Sequence, residues 1–173
     1  MHKTQSFTEI LPFENRMRYF HTPPMRLIGQ SMRHTNETDI SPIPRFWTEY
    51  HAKHHCTADA LPQIVRTTVA WIAEYDPPTK QYTYMIGVFC PAGTPVPEGF
   101  DHRDLEPALL AHGTLSAIPP DAHNIDRFDA AMAQDGFARR DGWSCEFYPV
   151  QEKPDCCLLF MVEKAEGAAP SAR

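Results

Sequence analysis

Glu146 stands at the centre of WSCEFYPV (residues 143–150), a run whose other members are aromatic, small or apolar. In a strand alternate side chains share a face. Glu146 then groups with Ser144, Tyr148 and Val150, while Trp143, Cys145 and Phe147 point the other way. Two similar sets lie upstream: Tyr82, Tyr84, Ile86 and Val88 in QYTYMIGVFC, and Trp71, Ala73 and Tyr75 in TTVAWIAEYD. A groove lined by such rings with one carboxylate suits an organic cation. The rings supply area and cation–π attraction, and the carboxylate supplies the counter-charge. A partly buried carboxylate costs free energy when empty, so a cation that pairs with it recovers part of that cost. The competing reading is a glutamate on the wet face of a half-exposed sheet. Trp47 and Tyr50 are candidates for the same wall or for helix core.

HAKHHC (residues 51–56) invites a metal reading, since His51 and His55 are four apart and could share a helix face. The HExxH signature is absent and no acidic or cysteine partner has fitting spacing. Cationic histidines near the negative pole of an exposed helix end explain the run better, and no metal site is expected. The sequence also lacks G-x-G-x-x-G, P-loop and G-x-S-x-G motifs, so nucleotide binding and serine hydrolase chemistry have no local support, and no cofactor is expected.

The elements that must position these residues follow from periodicity. MRLIGQSMRH reads as a first strand. ISPIPRFWTEYHAK carries Ile43, Phe46, Trp47 and Tyr50 at helical spacing, with Ser41 able to cap and Pro42 and Pro44 fitting only the first turn. TTVAWIAEYD and QYTYMIGVFC are β-branched and aromatic and flank the turn DPPTK. After the Pro- and Gly-rich loop CPAGTPVPEGFDHRDLEP the order repeats. ALLAHGTLSAI is a strand, and AHNIDRFDAAMAQDG is an amphipathic helix ending at Gly136. WSCEFYPV and CCLLFMVEK are two more strands. WIAEY and WSCEF share Trp-x-x-Glu-aromatic at the same place in the unit, so Trp71 answers Trp143 and Glu74 answers Glu146. Glu74 precedes a turn and is expected at the surface. Two strand-helix-strand-strand units, each burying a sheet face under its helix, make one α+β domain with an antiparallel sheet and a groove between the halves.

The chain has 173 residues, enough for one domain with a single core. Its 17 prolines imply many loops and rigid turns. A formal net charge of −6 does not favour a nucleic-acid surface. The cysteine count of 5 is odd and no C-x-x-C occurs, which suggests reduced, buried thiols. With no signal peptide and no run long enough to span a bilayer, a cytoplasmic protein without membrane contact is expected. Residues 1–22 read as an N-terminal arm. Residues 23–165 read as one domain of two repeats, about 24–90 and 108–164, and the tail 166–173 as disordered.

YTYMIGVF, the loop VPEGFDHRDLEPALLAHG and GWSCEFY together carry a family resemblance. The chain resembles the GyrI-like, or bacterial transcription activator effector-binding, domain over roughly residues 24–164. In that family an aromatic strand with a small-residue end is followed by a Pro-x-Gly loop and an Ile-Pro-Ala-like step, matched here by Glu106-Pro107-Ala108. A Glu-x-Tyr near the C-terminus is matched by Glu146-Phe147-Tyr148. An aromatic residue usual early in the second repeat is replaced here, at about Leu115.

The resemblance implies a pocket for amphipathic, often cationic, aromatic small molecules, built on Glu146, Tyr148, Tyr84, Tyr82, Trp71, Trp47 and Tyr50. Some stand-alone relatives inhibit DNA gyrase by protein contact, and others hydrolyse strained electrophiles. The alternatives are therefore a hydrolase in which Glu146 activates water, or a protein-binding module, with a protein partner or a homodimer open. Only about 22 residues precede the first expected strand, too few for a three-helix DNA reader. A stand-alone member that makes no direct contact with nucleic acid is expected.

Overall fold

The computed structural model describes residues 17–35, 42–115, 122–147 and 156–165. The chain order is β1 (Arg18–His21), β2 (Met25–His34), α1 (Pro42–Lys53), α2 (His55–Asp59), β3 (Val69–Asp76), β4 (Gln81–Pro91), β5 (Asp101–Leu105), β6 (Leu109–Leu115), α3 (Ala122–Gln134), β7 (Phe137–Phe147) and β8 (Cys156–Lys164). Among the described residues no helix is long and apolar enough to cross a membrane.

The strands form one antiparallel sheet in the order β1-β6-β8-β7-β3-β4-β2-β5. This order contains the duplication. The first unit, β2-α1-β3-β4, contributes β3-β4-β2, and the second, β6-α3-β7-β8, contributes β6-β8-β7. The two are joined where β3 pairs β7. Ile72 faces Ser144 across that pair, and these are equivalent positions when Trp71 is matched to Trp143. A pseudo-twofold axis therefore passes through the seam, and any side chain near it is shared by both halves.

Parity along each strand divides the core. One sheet face carries Leu27, Trp71, Met85, Leu110, Trp143, Cys145 and Leu159 in a single cluster reaching from β2 to β8. Leu105 of β5, at one edge of the sheet, belongs to the same cluster as Leu110 of β6, near the other edge, so the sheet curls and this face packs largely on itself. The opposite face is covered by the helices. Tyr50, Phe46 and Trp47 of α1 pack on Ala70, Tyr84 and Ile86. Phe128 and Met132 of α3 pack on Ala111, Leu158 and Phe160.

Three elements depart from the sequence reading. Residues 18–21 of the expected arm pair with β6. Tyr19 anchors them, stacking on Phe137 at 4.1 Å and donating to Asp135 at 2.8 Å. DHRDL, inside the expected long loop, is a strand along β2. A short α2 continues the line of α1. Ser41, the expected cap, lies outside the described residues, as does the tail 166–173.

Candidate functional site

The cleft lies on the helix-bearing face, where the two halves meet. Glu146 on β7 faces Ala70 of the first half on one side and Leu158 of the second on the other. Ala70 belongs to the cluster beneath α1 and Leu158 to the cluster beneath α3. The carboxylate is thus placed at the seam, between the two helix-covered patches. The cleft has a volume of about 2250 Å³, well beyond the roughly 300–1,000 Å³ of drug-sized pockets.

Tyr84 and Tyr82 of β4 form its floor beside Ile72. Both rings are buried, and their phenols are pushed up by burial first and by the negative charge of Glu146 second. Glu146 lines the same cleft as the two tyrosines. Each phenol is held neutral, as a donor, by the same low-dielectric surroundings that strengthen a charge pair. The Trp47 indole N–H donates to the Tyr84 hydroxyl at 3.0 Å, which fixes α1 to the floor and leaves the Tyr84 proton directed elsewhere. Along the helices Ile43, Trp47, His51, His55 and Asp59 recur every four residues and make the side wall. The Trp47 and His51 rings stack at 5.6 Å, and His55 meets Asp59 at 3.3 Å.

The expected site residues separate clearly. Glu146, Tyr82, Tyr84 and Trp47 come together. Tyr148 lies outside the described residues. Tyr50 does not reach the wall: it lies off the four-residue stripe, 1% exposed beneath α1, where burial pushes its phenol up. Trp71 is a correction. It points into the opposite core with Trp143 and Cys145, because the parity that puts Ala70 and Ile72 on the cleft side puts residue 71 on the other. Its equivalence to Trp143 carries the same information.

Glu74 departs from simple parity. A regular β3 would put it on the cleft side with Ala70 and Ile72. A bulge between Ala73 and Asp76, with Glu74 at φ 55°, turns it to the other face. There it accepts from Thr83 and from Arg103 at 2.6 and 3.2 Å. The Arg103 guanidinium holds its carboxyl below the usual carboxylate range. Of two equivalent glutamates, one is in the cleft and one is committed to an ion pair elsewhere.

The histidines of α1 and α2, read from sequence as a solvated helix end, line the cleft. Among the described residues no group of three or more His, Cys, Asp or Glu side chains is placed to hold a metal. Thr67, Thr68, Arg139, Arg140, Asp141 and Lys80 also line it. They lie on a loop, a bulged segment and a turn, where no periodicity could have assigned a face.

A family model described as Cass2, integron-associated effector binding protein, matches residues 20–162. None of the curated proteins matches the chain. The fold is similar to that of SAV2435 bound to tetraphenylphosphonium, at 12% identity and TM-score 0.61 over 86% of this chain and 94% of that one. It is similar to an integron cassette protein of Vibrio cholerae, at 11% identity and TM-score 0.56 over 86% and 97%. It is also similar to a hydrolase from Listeria innocua, at 9% identity and TM-score 0.55 over 90% and 96%. At such identities the likeness is one of fold.

Proposed function

Because the chain belongs to the family of integron-associated effector binding proteins, we propose that it binds amphipathic organic cations in the cleft between its halves, with Glu146 as the counter-charge. The observation that carries this is the position of Glu146 at the seam, in a cleft floored by the buried Tyr82 and Tyr84, the latter held by the Trp47 indole. An aromatic cation there covers the rings of Tyr82 and Tyr84 and gains a charge attraction to Glu146, strengthened by the apolar neighbours Ala70 and Leu158. The tetraphenylphosphonium bound to SAV2435, a protein of similar fold, is a cation of this class and a suitable probe.

Tetraphenylphosphonium titrated into the protein is expected to change its tryptophan fluorescence, since Trp47 is in the wall. Glu146→Gln keeps the shape of the side chain and removes its charge. We expect it to raise Kd at least tenfold, about 1.4 kcal/mol, with the melting temperature retained. Equal affinity in the two proteins would overturn the assignment of Glu146. The other use of this carboxylate is to activate water beside a bound electrophile. Product formation that scales with protein and is lost in Glu146→Gln would replace passive binding by catalysis.

A further inference from the structure

A bulge sets two residues of one strand against one of its neighbour and re-aims their side chains. In β3, Ala73 faces Thr83 and Asp76 faces Gln81, so Glu74 and Tyr75 together stand against Tyr82. A regular strand would put Tyr75 on the far face with Trp71 and Ala73. Glu74, at φ 55°, is instead held on that face by Arg103 and Thr83, and Tyr75 takes the cleft side, where it lines the cavity with Tyr82. The non-glycine residues at positive φ among the described residues, Glu74 and Lys80, enclose this stretch. Backbone strain of that kind persists where the surrounding structure over-determines it, and it concentrates at ligand sites.

The bulge breaks the symmetry of the cleft in a chemically defined way. The halves meet at the Ile72–Ser144 pair, and Glu146 stands two residues beyond it on β7. The equivalent place on β3 belongs to Glu74 by symmetry and is taken by Tyr75. One half therefore offers a carboxylate and the other a ring. Tyr75 is 61% exposed, the one large apolar side chain among the described residues in that state. Its ring buries little in the free protein, so a ligand lying against it gains the area and the ring–ring attraction that folding left unused.

The ladder gives the reach. Glu146 faces Ala70, Ala70 faces Ile86, and Tyr82 is four residues along β4 from Ile86, about 13 Å at about 3.3 Å per residue. Tyr84 fills the interval on the same side. The charged residues lining the Tyr75 end are Lys80, Arg139, Arg140 and Asp141, a set that on balance does not attract a second cation. We propose that Tyr75 is a ligand-binding residue and that the ligand class is an elongated amphipathic cation: a positive head at Glu146 and an apolar arm, ending in an aromatic ring, that reaches about 13 Å to Tyr75. The inference rests on the cation reading of Glu146 and adds the far contact.

Isothermal titration compares methyltriphenylphosphonium with (6-phenylhexyl)triphenylphosphonium, which carry the same cation and differ in reach. Both are expected to bind, the longer one more tightly. Tyr75→Ser is expected to weaken the phenylhexyl compound about fivefold and to leave the methyl compound within about twofold. The melting temperature should be retained, because the side chain is exposed. Tyr75→Phe keeps the ring and should keep the phenylhexyl affinity. A phenylhexyl affinity unchanged by Tyr75→Ser overturns the proposal. So does an equal loss for both compounds, or a Tyr75→Phe protein as weak as Tyr75→Ser. Glu146→Gln tests the underlying reading separately and should weaken both compounds alike. If it changes neither while Tyr75→Ser still weakens only the longer one, Tyr75 stands and the seat of the cation is elsewhere. Binding of neither compound overturns both readings.

Discussion

Glu74 and Glu146 occupy equivalent places in two copies of one motif, and their chemistry diverges because of a single backbone torsion. At φ 55° Glu74 pays a small steric penalty that its hydrogen bonds to Arg103 and Thr83 offset. Its carboxylate is partly exposed, so the ion pair is worth about 1 kcal/mol or less. Glu74→Gln is therefore expected to lower stability slightly and to leave the Kd for tetraphenylphosphonium within about twofold, against the tenfold loss expected for Glu146→Gln. Isothermal titration of the two variants in parallel decides it, and a similar loss in both would mean that Glu74 also reaches the ligand. Alternation in a regular strand put Tyr82 and Tyr84 on one shared face, but joining that face to Glu146 on another strand came from the family resemblance. The sequence could not carry the turning of Glu74, which depends on one residue entering the left-handed region. Trp71 was legible through its equivalence to Trp143, and only its aromatic character argued for the cleft.

At the scale of elements, the repeated strand-helix-strand-strand order was readable because each main strand and helix buries one apolar face. The additional elements bury little. DHRDL contributes one buried side chain, Leu105, and is held as an edge by backbone pairing and the Arg26–Asp104 ion pair. No hydrophobic alternation marks such a strand. The seating of the helices depends instead on small residues in the sheet. Gly113 of β6 lies beneath Phe128 of α3, where an added Cβ would come within 2.0 Å of the ring. Gly29 and Gly87 face each other across β2 and β4, and a Cβ on Gly29 would meet the Ile86 carbonyl oxygen at 1.9 Å. The first clash is with a side chain that can rotate, the second with backbone. Gly113→Ala is therefore expected to cost about 1–2 kcal/mol and Gly29→Ala about 3 kcal/mol or more, as read from urea unfolding midpoints. The reverse ranking would show that α3, not the β2–β4 pair, is the rigid element.

For the molecule as a whole, the most consequential titratable group outside the cleft is His112. It sits on β6 between Arg18 of β1 and Leu159 of β8, 2% exposed within the core shared by the two halves. Burial, with the nearby Arg18 charge as a smaller cause, pushes its imidazole down to about 4. The folded protein thus keeps His112 neutral where an unfolded chain, with an ordinary value near 6.5, takes up a proton. The stability this neutrality allows is fully present above pH ~6.5 and is lost as pH falls towards ~4, a change on the order of 3 kcal/mol. Against a total of about 5–15 kcal/mol for a domain, that loss matters. Unfolding by urea at pH 7.5 and pH 4.5 is expected to show the folded state markedly weaker at the lower pH. His112→Leu, or His112→Gln if the first variant folds poorly, removes the titration while leaving every carboxylate in place. The drop between the two pH values should then shrink by about 2 kcal/mol. An unchanged drop in both variants would assign the acid sensitivity to the carboxylates and free His112 of it.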